Sequence, residues 1–345
     1  MNRLRLHPDS HATNSAPASV RTEMYFPVLT VCVLVIFVIS RVNRASASGD
    51  AHWCYDSQHS ECGPSKWSKN SPTCGGTSQS PIDIHTNSVK RNTTLQKLKF
   101  IGYDSTPAGV TWSIQNNGHT VQVDLQGEIA VSGGGLPGTF NAVQMHFHWG
   151  NPHGPGSEHT INGKQFPVEL HIVHYNAKYL TFDGAKNEKD GLAVLGFLYA
   201  VGPTNNNYNT IINALPSVAN QGQKLNFSST FNLDNLLPSY VNMSKYYRYS
   251  GSLTTPGCGE VVTWTVFEEP IIMDENQIKK FSTVFFSTKE DPQQTLMVNN
   301  FRPVQKLNSR IVYASETATV GSAVPLVVNK LTHAAGLFLL AIVLY

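Results

Sequence analysis

Short runs of alternating apolar and polar residues, separated by turn residues, constrain the fold of this chain most. From residue 50 to 315, Gly, Pro and Asn recur roughly every eight to twelve residues, a spacing typical of all-β domains. The runs between them include VTWSIQNNGHTVQVDL, VELHIVHY, LAVLGFLYAVG and EVVTWTVFEEPI. Helical patterns are few and short: YNTIINAL and MDENQIKKFSTVF, the second with Asp274 at a capping position. We therefore expect one predominantly β domain with peripheral short helices.

The charge balance excludes one broad class of function. The chain has 25 Lys and Arg residues against 23 Asp and Glu residues, a formal net charge of +2. Its sequence contains neither a block of like charges nor a basic and aromatic array. A nucleic-acid partner needs such a positive field, so we expect none.

The N-terminal region has the features of a secretion signal. The apolar run MYFPVLTVCVLVIFVIS follows a basic, polar leader and precedes an Ala-Ser-Ala triplet at 45–47. Crossing a bilayer takes about 20 apolar residues, more than this run offers. We therefore predict a signal peptide with a long leader over residues 1–47. A signal anchor is the alternative, because Arg41 and Arg44 follow the run, and a start at Met24 would give a more ordinary signal.

The C-terminal region predicts membrane attachment. The chain ends in the apolar run AAGLFLLAIVLY, and the small residues Gly-Ser-Ala at 321–323 lie upstream. Small residues, a spacer of about 8–12 residues and an apolar tail form a GPI signal. We predict such a signal over residues 314–345, with a short transmembrane anchor as the alternative. Either arrangement holds the domain at the extracellular face of the plasma membrane.

Cysteines and sequons agree with secretion. Cys32 lies in the predicted signal peptide, which leaves an even number of cysteines for the domain. In an oxidising compartment four cysteines predict two disulfides, with three possible pairings. These cysteines are Cys54, Cys62, Cys74 and Cys258. Three N-glycosylation sequons begin at Asn92, Asn226 and Asn242.

Histidines concentrate in two of the predicted strands. If NAVQMHFHWG is a strand, Gln144, His146 and His148 share one face, and in PVELHIVHY Glu169 and His171 share one face. A lone histidine here would usually be a hydrogen-bonded core residue. If the two strands are neighbours, however, three imidazoles converge, and three neutral histidines with an open fourth position form a catalytic zinc site. The carboxylate and the amide could then hold the ring N–H groups of the ligands.

Nine sequence blocks carry a resemblance to a known family. In chain order they are HWCY, QSPIDI, NNGHTVQV, HFHWG, GSEHT, ELHIVH, GLAVLGFL, YSGSLTTPGCGEVVTWTVFEEPI and NNFRPVQKLNSR. Together they resemble the α-class carbonic anhydrases, from about residue 52 to 313. The resemblance implies a single domain over 52–313, with a central twisted, mostly antiparallel sheet. It also implies Zn2+ as cofactor and the reversible hydration of CO2 to bicarbonate and a proton.

The resemblance also assigns the residues of the reaction. The zinc ligands would be His146, His148 and His171. A zinc-bound hydroxide would attack CO2, oriented by Thr254, which donates a hydrogen bond to Glu158. His119 would shuttle the proton to buffer, since an imidazole loads and unloads protons near neutrality.

Further residues of the family's active-site cavity have counterparts here. The apolar wall for CO2 would consist of Val173, Val194, Leu253 and Trp264. Thr255 would line the same cavity, and Asn117 and Tyr55 would order the water through which the proton moves. Gln122 departs from the asparagine that the family often has, which puts this water network in doubt.

Cysteines refine the resemblance to the extracellular, GPI-anchored branch of the family. Cys74 and Cys258 match the bridge of extracellular members, and Cys54 and Cys62 would form a second one. Ser250 departs from the proline of many relatives, with no evident chemical consequence.

The remaining histidines of the segment are poorer ligand candidates. Strand parity directs His174 to the opposite face, His159 is expected to be structural, and His153 to be solvated.

Two other classes of function compete with an enzyme. A non-catalytic ectodomain of the same fold would lack a zinc histidine, and a scaffold or mineral-matrix protein would have acidic or repetitive appendages. The expected partners are CO2 and bicarbonate, and the membrane through a GPI anchor. Bicarbonate transporters are possible further partners, because they would carry the product, but no sequence feature supports that interaction.

Overall fold

Short strands dominate the computed structural model, which describes residues 53–321. The strands are β1 (Asp83–Ile84), β2 (Lys90–Arg91), β3 (Leu98–Ile101), β4 (Ser113–Asn116), β5 (Val121–Asp124), β6 (Ala130–Gly133), β7 (Phe140–Trp149), β8 (Thr160–Ile161), β9 (Val168–Asn176), β10 (Leu192–Val201), β11 (Lys224–Asn226), β12 (Tyr246–Gly251), β13 (Val262–Phe267), β14 (Ile271–Met273) and β15 (Tyr313–Ala314). The predicted signal peptide and nearly all of the predicted GPI signal lie outside the described residues.

Helices in this part of the chain are short, as the sequence predicts. The α-helices are α1 (Trp67–Asn70), α2 (Phe182–Ala185), α3 (Asn209–Ala214) and α4 (Glu275–Phe281). Single 3-10 turns occur at Ser60–Cys62, Pro64–Lys66, Pro72–Gly75, Ala177–Tyr179, Asn206–Tyr208, Leu215–Val218, Leu233–Leu236 and Asn242–Ser244. Asp274 caps α4 by accepting a hydrogen bond from the backbone N–H of Asn276, so the predicted cap is confirmed.

One twisted sheet of 13 strands organises the described residues, in the order β11-β4-β5-β7-β9-β10-β13-β12-β15-β2. In addition β14 pairs with β10, and β6 pairs with both β3 and β7. Most neighbours are antiparallel, whereas β10 runs parallel to β13 and β14, and β15 runs parallel to β2. A separate parallel pair joins β1 and β8. The predicted mostly β fold with a mostly antiparallel sheet is confirmed.

Strands β7, β9 and β10 form the centre of the sheet. Eight of the nine residues of β9 are buried, and so are the first eight of β10, because both faces of these strands are covered. The antiparallel register aligns His146 with His171 and Phe147 with Leu170. Since side chains alternate along a strand, the aligned histidines and the aligned apolar residues lie on opposite faces.

Two apolar clusters cover the two faces of the central sheet. One contains Met145, Phe147, Leu170, Ile172, Leu195 and Phe197. The other contains Val173, Val194, Tyr247, Tyr249, Trp264 and Val266. The histidines that sequence parity brought together lie on the face of the second cluster.

Two disulfides join distant and local segments. Cys54 pairs with Cys62, and Cys74 pairs with Cys258, the pairing implied by the family resemblance.

The packed chain continues beyond residue 313, because the Gly321 N–H donates to the Thr86 carbonyl and the Thr86 hydroxyl donates to the Gly321 carbonyl. Among residues 53–321, no helix is long and apolar enough to cross a bilayer.

The sequon asparagines lie at accessible positions of the domain. Asn226 is exposed at the end of β11, and Asn92 and Asn242 are half-buried.

Candidate metal centre

Three histidines from two adjacent strands converge on one point. His146 and His148 lie on β7, and His171 lies on β9. Their ring centroids are 5.1, 5.2 and 4.7 Å apart, and one nitrogen of each ring lies within 4.8 Å of the others. The geometry expected from strand parity is therefore present.

Each of the three rings has one nitrogen engaged in a hydrogen bond. The acceptors are Gln144 Oε1 at 2.8 Å from His146 Nδ1, the Asn300 carbonyl at 2.7 Å from His148 Nδ1, and Glu169 Oε1 at 2.7 Å from His171 Nε2. An acceptor oxygen selects the tautomer that carries the proton on the engaged nitrogen. The opposite nitrogen of each ring then has its lone pair available for a metal ion.

The surroundings of His146 and His148 favour the neutral form of the ring, which binds metals. Burial, together with the neighbouring His148 and His171, lowers the pKa of His146 well below its usual value. Burial also lowers the pKa of His148. Within the described residues, the buried Nε2 of His148 has no hydrogen-bond partner. Three imidazoles, each with one nitrogen turned to a common point, fit a tetrahedral Zn2+ site with an open fourth position.

Glu169 is the centre of a buried hydrogen-bond chain behind the site. Its Oε1 contacts His171 and also His159 Nδ1 at 2.6 Å, while His159 Nε2 lies 2.6 Å from the Tyr249 hydroxyl. Burial alone would raise the pKa of Glu169, but His159 and His171 outweigh it and hold this pKa well below its usual value. His159, Glu169 and His171 could themselves contact a metal. Their polar atoms already bond one another, however, so His159 has the structural position that the sequence predicts.

Glu158 lies beside the three histidines with one oxygen free. Its Oε1 accepts a hydrogen bond of 2.8 Å from the backbone N–H of Arg302. Its Oε2 lies 3.4 Å from His148 Nε2 and has no hydrogen-bond partner among the described residues. Thr254 is buried, and Thr255 is half-buried. The role of Arg302 was missed in the sequence, because a backbone N–H has no side-chain signature.

His119 lies in the turn between β4 and β5, half-buried. The Asn117 Oδ1 accepts hydrogen bonds from the backbone N–H groups of His119 and Thr120 and so fixes this turn. The His119 ring stacks on Trp53, with centroids 3.7 Å apart. Asn300 donates to the His119 carbonyl and accepts from the His148 ring, so one residue connects the turn to the histidine cluster.

Three strands form a continuous apolar surface on the face of the histidines. Val194 of β10 pairs with Val173 of β9 on one side and with Trp264 of β13 on the other, so the three side chains are neighbours on one face. All three are buried. Leu253, which follows β12, is half-buried and packs against the same cluster.

Tyr55 and Gln122 are the remaining residues that the sequence places near the site. Tyr55 is buried against Trp53 and Trp67, and burial together with Glu158 raises its pKa. Gln122 is the cross-strand neighbour of His146, and its amide donates to Asp124 at 2.6 Å. The Asn117 amide reaches Gln122 only at 3.5 Å. The longer side chain of Gln122 is thus held by Asp124.

Comparison with known proteins identifies the family. The sequence profile of eukaryotic-type carbonic anhydrases matches residues 62–316. The chain belongs to the carbonic anhydrase family. It is 40% identical to carbonic anhydrase 15 of Mus musculus over 298 residues, which is 85% of this chain and 91% of that protein. It is 41% identical to carbonic anhydrase 12 of Homo sapiens over 288 residues, 83% of this chain and 78% of that protein.

A third relative is similar over a shorter part of the chain. Carbonic anhydrase 7 of Homo sapiens is 46% identical over 257 residues, 73% of this chain and 94% of that protein. Relatives of this similarity over most of the chain make it an enzyme of the carbonic anhydrase type, with CO2 hydration as its reaction. The His146, His148 and His171 cluster fits the zinc dependence of the family.

Proposed function

We propose that this chain catalyses the reversible hydration of CO2 at the outer cell surface, with Zn2+ held by His146, His148 and His171. The observation that carries the proposal is the pattern of ring nitrogens. Each of the three histidines has one nitrogen bonded to a protein oxygen and the other turned to a common point. Histidines that served only as core residues would have no reason to direct three lone pairs together.

Zn2+ held by these histidines would supply an acidified water molecule as a nucleophile near neutral pH, an effect for which carbonic anhydrases are themselves the usual example. Thr254 and Glu158 orient this nucleophile. An ionised carboxylate only accepts hydrogen bonds, so in this role the Thr254 hydroxyl would have to turn towards the Oε2 of Glu158, an atom without a hydrogen-bond partner among residues 53–321, and keep its own lone pair for the water. The Arg302 N–H on the other oxygen fixes the carboxylate. Thr255 lines the cavity beside this pair.

The substrate occupies the apolar surface beside the metal centre. CO2 carries no net charge, so Val173, Val194, Leu253 and Trp264 hold it by shape and dispersion rather than by hydrogen bonds. These side chains are on the same face of the sheet as the zinc histidines. That shared face supports the assignment of this wall.

His119 transfers the proton between the site and the buffer. Its position in the turn between β4 and β5, half-buried and stacked on Trp53, supports this role. Asn117 fixes the turn, and Asn117 and Tyr55 order the water between the histidine and the metal.

Sequence signals at both ends support the location. We propose a signal peptide over 1–47, a catalytic domain over 52–313 and a GPI-attachment signal over 314–345. The two disulfides and the three accessible sequons support passage through the secretory pathway. The resulting enzyme is a glycoprotein of the GPI-anchored branch.

The decisive experiment is stopped-flow CO2 hydration by the protein purified from membranes, before and after chelation and after zinc is restored. We expect chelation to abolish activity, zinc to restore it, and elemental analysis to find one zinc per chain. A His171→Ala variant should lose both zinc and activity, whereas the matched His153→Ala variant should keep both. Folded protein without zinc, or an active His171→Ala variant, would refute the proposal. Release from cells by a phosphatidylinositol-specific phospholipase tests the anchor separately.

A further inference from the structure

A cavity of about 470 Å³ opens beside β12 and β13, lined mainly by residues of the sheet face opposite the histidines and also by Tyr249. Arg248 and Ser250 of β12 align with Thr265 and Thr263 of β13, whereas Tyr249 between them aligns with Trp264 of the CO2 wall. Because side chains alternate along a strand, Arg248 and the CO2 wall lie on opposite faces. No residue of the histidine cluster lines this cavity.

Arg248 is a buried cation without a counter-ion. Only 7% of this residue is exposed, and none of the ion pairs within residues 53–321 includes it. Its Nε donates to Thr265 Oγ1 and its Nη1 to the Gly134 carbonyl, whereas the buried Nη2 has no hydrogen-bond partner in the described residues. The guanidinium also lies over the Tyr246 ring, 5.4 Å from its centroid, a neutral contact that supplies no counter-charge. A guanidinium has five N–H groups, so these two bonds leave three unused. Buried charges in proteins are normally paired, because desolvating an isolated charge is costly.

The walls of the cavity divide into a cationic and an apolar part. Arg310 also lines it, with its guanidinium held by the carbonyls of Leu307, Ser250 and Lys306. Leu95, Pro137 and Ile311 supply apolar surface, and none of the lining residues is acidic. The volume falls within the range of about 300–1,000 Å³ that is usual for small-molecule sites.

We propose that this cavity binds a small organic carboxylate, with the carboxylate on Arg248 and an apolar body against Leu95, Pro137 and Ile311. An arginine presents adjacent N–H groups that match the two oxygens of a carboxylate. The anion supplies the charge that Arg248 lacks within the protein. The apolar walls favour an organic acid over bicarbonate, which has no apolar body to bury. The site is separate from the metal centre and does not depend on the proposed reaction.

Benzoate tests the proposal, with benzamide as a neutral molecule of the same shape. Isothermal titration of the zinc-loaded protein should detect benzoate, with benzamide binding at least about tenfold more weakly, the loss expected for one charge-assisted hydrogen bond. Arg248→Gln should weaken benzoate by a similar factor. The control Lys99→Gln removes the same charge from an exposed position of β3 outside the cavity and should leave the affinity unchanged.

A second variant covers the case in which Arg248→Gln does not fold. Ser309 is exposed at the rim, so Ser309→Trp fills the cavity without touching Arg248, and it should abolish benzoate binding. A crystal with 4-bromobenzoate should show the bromine signal between Leu95 and Ile311. The proposal is wrong if the zinc-loaded protein does not bind benzoate, or if Arg248→Gln and Ser309→Trp both leave the affinity intact, which would assign benzoate to the metal centre.

Discussion

Hydrogen-bond acceptors behind the histidines determine which nitrogen faces the metal centre. Gln144, Glu169 and the Asn300 carbonyl each engage one nitrogen of a different ring. Glu169 also orders His159, and its Oε2 accepts from the backbone N–H groups of Glu158 and His159. A carboxylate that accepts so many hydrogen bonds stays ionised and fixed, which orients the His171 ring.

His119→Ala should slow CO2 hydration in weak buffer, because no other group at this turn can carry the proton. We expect kcat to fall by about a hundredfold, the lower end of what acid–base groups contribute. Added imidazole should restore the rate, since it replaces the missing side chain. The measurement is stopped-flow turnover as a function of buffer concentration.

The exposed His153 provides the matched control for His119, because His153→Ala removes the same ring from a position outside the site. His153→Ala should behave like the wild type in every buffer. An unchanged rate for His119→Ala in weak buffer would remove this residue from the mechanism.

His174 should make stability depend on pH. Its Nε2 lies 2.7 Å from the Tyr103 hydroxyl on the face opposite the metal centre, and burial lowers the pKa of the ring to about 4. The unfolded state, with a pKa near 6.5, therefore binds a proton that the folded state does not. The contribution of the neutral His174 ring to the free energy of unfolding is fully present above pH 6.5 and is lost as the pH falls towards 4. This loss is at most about 3 kcal/mol.

Urea unfolding at several pH values between 4 and 7.5 checks this expectation. His174→Gln cannot take up the proton, so its free energy of unfolding should fall less steeply with acidification than that of the wild type. Parallel pH profiles for the two proteins would contradict the assignment.

Adjacent strands β7, β9, β10 and β13 together build the site. The histidines of β7 and β9 lie beside apolar side chains of β9, β10 and β13. The register of the four strands places all of these side chains on one face of the sheet. Gly196 of β10 completes this arrangement, since a Cβ there would lie 3.2 Å from Glu169 Oε1. A side chain at this position would crowd the carboxylate that holds His171.

Val194→Trp should block CO2 while zinc remains bound. The larger ring fills the surface between Val173 and Trp264, and we expect kcat/KM to fall by about a hundredfold, as misplacing a reactant does. Val194→Ala is the control, because it keeps the space open. Zinc content by elemental analysis should equal that of the wild type for both variants. Full turnover by Val194→Trp would mean that CO2 binds elsewhere.

Strand parity predicted much of the site, but contacts between distant segments were not predictable. The period of two placed Gln144, His146 and His148 on one face, since that rule is local to a strand. The bonds of Asn300 to His148 and of Arg302 to Glu158 join residues 152 and 144 positions apart. No local pattern encodes such distances, and both bonds use backbone atoms, which all residues share.

On the scale of the whole molecule, one sheet separates two functions. Its one face carries the candidate metal centre and the proposed CO2 wall, and the cavity of Arg248 is lined mainly from its other face. The Cys74–Cys258 disulfide connects the first of these to the N-terminal segment. Arg302 donates to the Cys74 carbonyl and to Glu158, and Gln79 donates to the Cys258 carbonyl. The bridge therefore lies next to the residues that fix Glu158.

The two disulfides should differ in their contribution to stability, because their loops differ in length. Cys74 and Cys258 are separated by 184 positions, whereas Cys54 and Cys62 are separated by 8. Loop-closure entropy predicts that a double Ser variant of the long bridge loses about 5 kcal/mol and that of the short bridge about 2.5 kcal/mol. Urea unfolding of the two variants measures both losses. Equal losses would show that the native contacts around each bridge, rather than the entropy of the unfolded chain, determine what the disulfides contribute.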